Sequence, residues 1–138
     1  MAIPFVACMV AVAAYYQLPP RVLPAIQAVE GGRVGMVRPN TDGSEDLGVM
    51  QVNTRWVPVL ARTAGMSPQA TRERLIGDAC FNIAASGIIL RTYLNEANGD
   101  LMLAVGYYHS HTPARRDDYL ARVLRSAQSM FNRGTVAR

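Results

Sequence analysis

Glu30 is the residue whose position says most about chemistry, because it ends an otherwise apolar helical run carrying Val22, Leu23, Ile26 and Val29. The carbonyls left unpaired at a helix end disfavour a carboxylate, and burial beside Val29 would act in the same direction, so the Glu30 pKa is expected to rise. A carboxyl raised in this way stays protonated near neutral pH and can serve as a general acid. An exposed helix-terminal acid is the plainer reading of the same position. A second carboxyl lies in the segment from Asn40 to Asn53, where Asn40, Asp42, Gly43 and Ser44 are turn formers and Asp46 follows them. Asp46 could return across a hairpin to face Glu30. Two carboxyls around one cleft suit glycoside cleavage, one protonating the leaving oxygen and the other stabilising or attacking the oxocarbenium-like centre. Loop acids beside glycines also serve turns alone. Gly106-Tyr107-Tyr108-His109 closes a later helical run ahead of His111, which puts Tyr108 and His109 within reach of a cleft. A metal on His109 and His111 would lack a third ligand, so neither metal nor cofactor is expected.

The elements that must position these groups are mostly helical. Hydrophobic spacing predicts a first helix over about Phe5 to Gln17, buried through Cys8, Val12 and Tyr15 or Tyr16 and broken by Pro19-Pro20. Pro20 can open the second helix, which stops at Gly31-Gly32, the residue type that accepts a left-handed turn. Gly35 to Asn53 reads as a loop or short β-hairpin. Further helices are expected at Val57 to Ala64, from Ser67-Pro68 to Leu75, at Cys80 to Asn95, at Leu101 to His109 behind an Asp100 cap, and at about Arg116 to Phe131. A single domain over residues 1–138 is expected, with residues 132–138 frayed.

Half of the 138 residues are hydrophobic and only 17% are charged, which excludes a disordered chain. The net charge of +4 comes from 14 arginines with no lysine, and it favours anionic partners without choosing among them. The arginines are not interleaved with aromatics as a stacking platform would require, so no nucleic-acid partner is expected. The apolar stretch from Met1 to Tyr16 is interrupted by Pro4 and is shorter than the roughly 20 residues of a bilayer-spanning helix, so no stable membrane span is expected. A leader segment is taken as absent or removed. Cys8 and Cys80 are too far apart for a CxxC pair and too few for a zinc site, leaving either one disulfide or two unrelated thiols.

The order and spacing of Glu30-Gly31, Gly48-Val49-Met50-Gln51-Val52-Asn53, Cys80-Phe81-Asn82-Ile83 and Gly106-Tyr107-Tyr108-His109 resemble the lysozyme-like lytic transglycosylase domain, particularly its small secretion-system-associated members. The resemblance covers about residues 8–125, and its most specific part is the Gly48 to Asn53 segment. It implies a mainly α, lysozyme-like α+β fold, a helical domain with a small loop or β-hairpin insertion beside the active-site cleft. It also implies a Cys8–Cys80 disulfide and a periplasmic or secreted location. Glu30 would be the catalytic acid and then base. Ser44, Met50, Gln51, Asn53, Tyr108 and His109 would contact the glycan, and Tyr119 would close the cleft. The implied partners are peptidoglycan glycan strands and components of a secretion or conjugation system. The implied reaction cleaves the bond between N-acetylmuramic acid and N-acetylglucosamine with closure of a 1,6-anhydro ring, so no water is consumed. Gly31 stands where the family usually has serine, and His109 where it has asparagine. The Asn40 to Trp56 stretch also resembles animal-type lysozymes, in which the residue at Asp46 is a second catalytic carboxylate, so a muramidase is the alternative. A weakly active glycan-binding component of a secretion apparatus is the other.

Overall fold

The computed structural model describes residues 3–136, with side chains described as far as Phe131. Its helices are α1 (Val6–Tyr15), α2 (Val22–Glu30), α3 (Val57–Ala64), α4 (Pro68–Gly77), α5 (Ala79–Glu96), α6 (Leu101–His109) and α7 (Pro113–Val136). The strands β1 (Val37–Pro39), β2 (Glu45–Leu47) and β3 (Val52–Asn53) form one antiparallel sheet in the order β1-β2-β3, and a 3₁₀ turn over Thr54–Trp56 leads into α3. The fold is thus mainly α with a small β-hairpin insertion.

Local signals set most boundaries. Ser67 Oγ accepts the Ala70 amide at 3.1 Å with Pro68 in the first helical position, and Asp100 Oδ1 accepts the Leu103 amide at 3.1 Å. Both satisfy amides that the first turn of a helix leaves unpaired. Asp78 does the same for Phe81 at 3.0 Å, which starts α5 one residue ahead of the expected Cys80. α2 begins at Val22, later than Pro20, and tolerates Pro24 in its first turn, where a missing amide proton costs nothing. α7 departs furthest from expectation: it starts at Pro113 and continues to Val136, so residues 132–136 of the expected frayed tail are helical and 137–138 lie outside the described residues.

α5 is the central helix, with Ile83, Ile89, Leu90, Tyr93 and Leu94 in the core. α1 packs across it at Gly87, where any Cβ would collide with Val12 and Tyr16. A Cys8–Cys80 disulfide, Cα atoms 5.5 Å apart, ties α1 to the start of α5. The wholly buried residues of α1 are Met9 and Ala13, while Cys8, Val12 and Tyr16 are only partly covered. Tyr15 is 79% exposed, so of the two tyrosines it is Tyr16 that faces inward. Among the described residues no single helix is long and apolar enough to cross a membrane.

α7 lies along both α2 and α6. Gly32 brings the end of α2 against the turn between β2 and β3, since a Cβ there would run into the Gly48 and Val49 carbonyls. Gly48 itself has φ +70°, and a Cβ there would collide with Leu75 O and the Asn82 side chain. Asn82, wholly buried in α5, accepts the Met50 amide at 2.8 Å and donates to Leu47 O and Leu75 O, each at 2.8 Å. One side chain therefore fixes the turn between β2 and β3 to α4 and α5.

Candidate active site

A cleft of about 830 Å³ opens between the sheet and the α6–α7 side of the molecule, with Glu30 at the end of α2 in its lining. Glu30 is half-buried, and its pKa is raised to about 7. Burial is the largest cause, and the neighbouring Asp46 charge adds to it. A hydrogen bond from Tyr119 works the other way, as do the charges of Arg122 and Arg38. The sequence reading put the shift first on the helix end; in the fold, desolvation dominates. Gly31 caps α2 at φ +66° with open space where its Cβ would be. Glycine there is explained by backbone conformation, since a serine would have room but would sit in the left-handed region.

The second carboxyl comes from β2. Pairing Arg38 with Asp46 and Asp46 with Asn53 turns Asp46 toward the cleft, where Asn53 Nδ2 donates to its Oδ1 at 3.0 Å. The turn that sets this register is built by Asn40, Asp42 and Ser44. Asp42 Oδ1 accepts both the amide (2.9 Å) and the hydroxyl (2.6 Å) of Ser44, whose Oγ in turn accepts Asn53 Nδ2 at 3.0 Å.

Gln51 forms part of the cleft floor at φ +52°, a left-handed conformation that a side chain rarely adopts. Its Nε2 donates to Gly48 O at 2.9 Å, whereas its buried Oε1 has no hydrogen-bond partner among the described residues. An unmet buried acceptor costs free energy, which adds to the strain of the left-handed backbone at this residue. Tyr108 also lines the cleft, and its hydroxyl donates to Met50 O at 3.3 Å.

Six expected site residues, Glu30, Asp46, Ser44, Gln51, Asn53 and Tyr108, meet in this cleft, and His109 joins them at its edge. Two do not line it. Met50 is wholly buried, so only its backbone serves the site, through the bonds to Asn82 and Tyr108. Tyr119 is 1% exposed and stands behind Glu30, with its hydroxyl donating to Oε2 at 2.7 Å. It positions the acid instead of closing the cleft over a ligand. His109 stacks on the Tyr119 ring (centroids 4.9 Å, 9° between planes), and burial followed by the Arg122 and Arg115 charges lowers its pKa, so the ring is neutral near pH 7.

Burial holds the Tyr119 pKa well above its ordinary value, so its hydroxyl remains a donor wherever Glu30 titrates. Tyr119→Phe removes a bond that stabilises the Glu30 carboxylate. The Glu30 pKa should then rise, and the fall in activity on the alkaline side should move to higher pH. A pH profile of kcat/KM tests this, and an unmoved or lowered alkaline limb would refute the positioning role.

The sequence reading did not assign Trp56, Tyr93, Arg55, Arg115 and His111 to the cleft, although all line it. They lie on four separate segments, and only the aromatic residue types hinted at a binding surface. No protein-family model matches the chain, and no curated protein matches it.

Proposed function

We propose that the chain is a peptidoglycan lytic transglycosylase, a glycan-cleaving lyase acting on the β-1,4 bond between N-acetylmuramic acid and N-acetylglucosamine. The observation that carries this reading is Glu30, half-buried in an open cleft, with a pKa of about 7 and a fixed hydrogen bond from Tyr119. Such a group is both protonated and ionised to useful extents near neutral pH, as an acid that must later act as a base requires. Protonated Glu30 gives its proton to the glycosidic oxygen as the bond from C1 breaks. The Glu30 carboxylate then takes the proton of the muramoyl 6-hydroxyl as O6 bonds to C1. Glu30 ends protonated, as it began, and no water is used. Polar groups in the cleft lining, Ser44 and Asn53 among them, supply contacts to the sugars. The disulfide suits an oxidising compartment, in keeping with a periplasmic or secreted enzyme that opens the wall locally for a secretion or conjugation apparatus.

A hydrolytic muramidase is the second reading, favoured by Asp46 lying in the same cleft and adding to the Glu30 shift. Mass analysis of soluble products from purified peptidoglycan separates the two. Ends in 1,6-anhydromuramic acid are expected, reducing muramic acid would move the assignment to hydrolysis, and sacculus binding without release would indicate a binding component. Asp46→Asn should accordingly cost no more than about tenfold in kcat, since it removes an electrostatic neighbour and no proton-transfer group. A loss of about a thousandfold, within the range for a group that takes part in the chemical step, would count for hydrolysis.

A further inference from the structure

His109 ends α6 with its ring in the cleft lining, and that ring lies flat on Tyr119, which does not line the cleft. A centroid separation of 4.9 Å with 9° between the planes is the geometry of an offset aromatic stack. A helix crossing sets it. Gly106 brings α6 against the start of α7, since a Cβ there would run into the Arg116 side chain and carbonyl. His109 follows Gly106 by three residues and Tyr119 follows Arg116 by three, about one helical turn in each case, so the close approach at Gly106 carries both rings together.

Tyr119 needs such a constraint. Its hydroxyl, 2.7 Å from Glu30 Oε2, stands at the far end of the ring from the backbone, so a small tip of the ring carries it beyond hydrogen-bond distance. The Arg122 guanidinium also lies over this ring, 5.5 Å from its centroid, but Arg122 is an exposed and flexible side chain. A stacked ring on a packed helix limits tipping far more than a solvated cation does.

Charge is not the means. The His109 ring is neutral near pH 7, where Glu30 titrates. Arg115, Asp118 and Arg122 of α7 and Asp46 of β2 face His109, while Asp46, Arg122 and Arg38 of β1 face Glu30. Replacing His109 leaves all of these charges in place.

We propose that His109 is a positioning residue for Glu30, its ring holding Tyr119 at the angle from which the hydroxyl reaches the carboxyl. This rests on Glu30 being the acid of the glycan-cleaving reading above and adds a residue that acts on it through another.

The test follows the Glu30 side-chain carboxyl carbon by NMR through a pH titration of the full chain. Its midpoint, near 7 in the parent, should rise by about half a pH unit in His109→Ala and by about one in Tyr119→Phe, the scale of weakening or losing a hydrogen bond to a charged group. His109→Gln, which also lacks the ring, should match His109→Ala. In the Tyr119→Phe background His109→Ala should add nothing, because the hydroxyl through which it acts is gone. His109→Phe keeps a flat ring without the imidazole nitrogens and should return the midpoint to the parent value. An unmoved midpoint, a shift of equal size with and without the Tyr119 hydroxyl, or a His109→Phe variant that behaves as His109→Ala would overturn the proposal. A lowered midpoint would do the same, since it would mean that the ring only keeps water from Glu30. On purified sacculi the alkaline limb of kcat/KM should move with the midpoint in each variant. The titration itself needs no substrate: a parent that fails to cleave sacculi would remove the glycan reading and leave the positioning result standing, whereas cleavage with an unmoved midpoint would sink the positioning role alone.

Discussion

Glu30→Gln is expected to lower kcat on purified sacculi by about a thousandfold, the scale of losing a positioned proton-transfer group. The amide fills nearly the same volume and can still accept the Tyr119 hydroxyl, so the cleft keeps its shape, but it cannot deliver or recover a proton. Retention of a tenth of the parent rate would remove Glu30 from the mechanism. The same variant carries a stability signature of definite sign. An isolated glutamate titrates near 4.5 and Glu30 in the fold near 7, so between these values the native state binds more protons than the unfolded chain. The Glu30 contribution to stability is therefore fully present below about 4.5 and is lost as pH rises through about 7, by an amount on the order of 3 kcal/mol. Glu30→Gln has no such ionisation. Its Tm should lie close to that of the parent at pH 4 and above it at pH 8, and a lower Tm at pH 8 would contradict a buried, raised carboxyl.

Asn82→Ala should produce the largest loss of stability, about 4 kcal/mol in urea unfolding. The side chain meets one amide and two carbonyls, all inside the protein, and its removal leaves three backbone groups without partners at roughly 1 to 3 kcal/mol each, less what an entering water restores. Asn82→Asp should fare no better, because a carboxylate accepts the Met50 amide but cannot donate to Leu47 O and Leu75 O. Activity should fall with stability, since the turn that Asn82 anchors carries Gln51 into the cleft lining. A loss of less than about 1 kcal/mol would show that the β2–β3 turn is held by its own backbone and not by α5.

The helices were legible to within a few residues because their signals are local. Ser67-Pro68 and Asp100 announce their helices in the sequence and cap them in the fold. Gly31 announced the end of α2, and with it the position of Glu30. Asp78 was missed as a cap although it has the same chemistry as Asp100, and α7 was cut short because its polar end carries no apolar stripe to mark it.

The site divides along the same line. A raised Glu30 and an Asp46 returning across a hairpin were two of the readings that helix ends and turn formers allowed, beside an exposed acid and a turn carboxylate, and in the fold burial rather than the helix end is what raises Glu30. The role of Tyr119 did not follow: it lies 89 residues from Glu30, and only the packing of α7 against α2 brings its hydroxyl to the carboxylate. Met50 shows the converse, a residue drawn from a motif toward the ligand whose side chain the core claims. The sequence by itself determined the elements, the acid and the hairpin, because capping, periodicity and turn chemistry act over a few residues. Tertiary structure alone decided the desolvation that raises Glu30, the hydrogen bond it accepts from Tyr119 and the Asn82 anchor of the β2–β3 turn, because burial and long-range pairing exist only once separate segments have met.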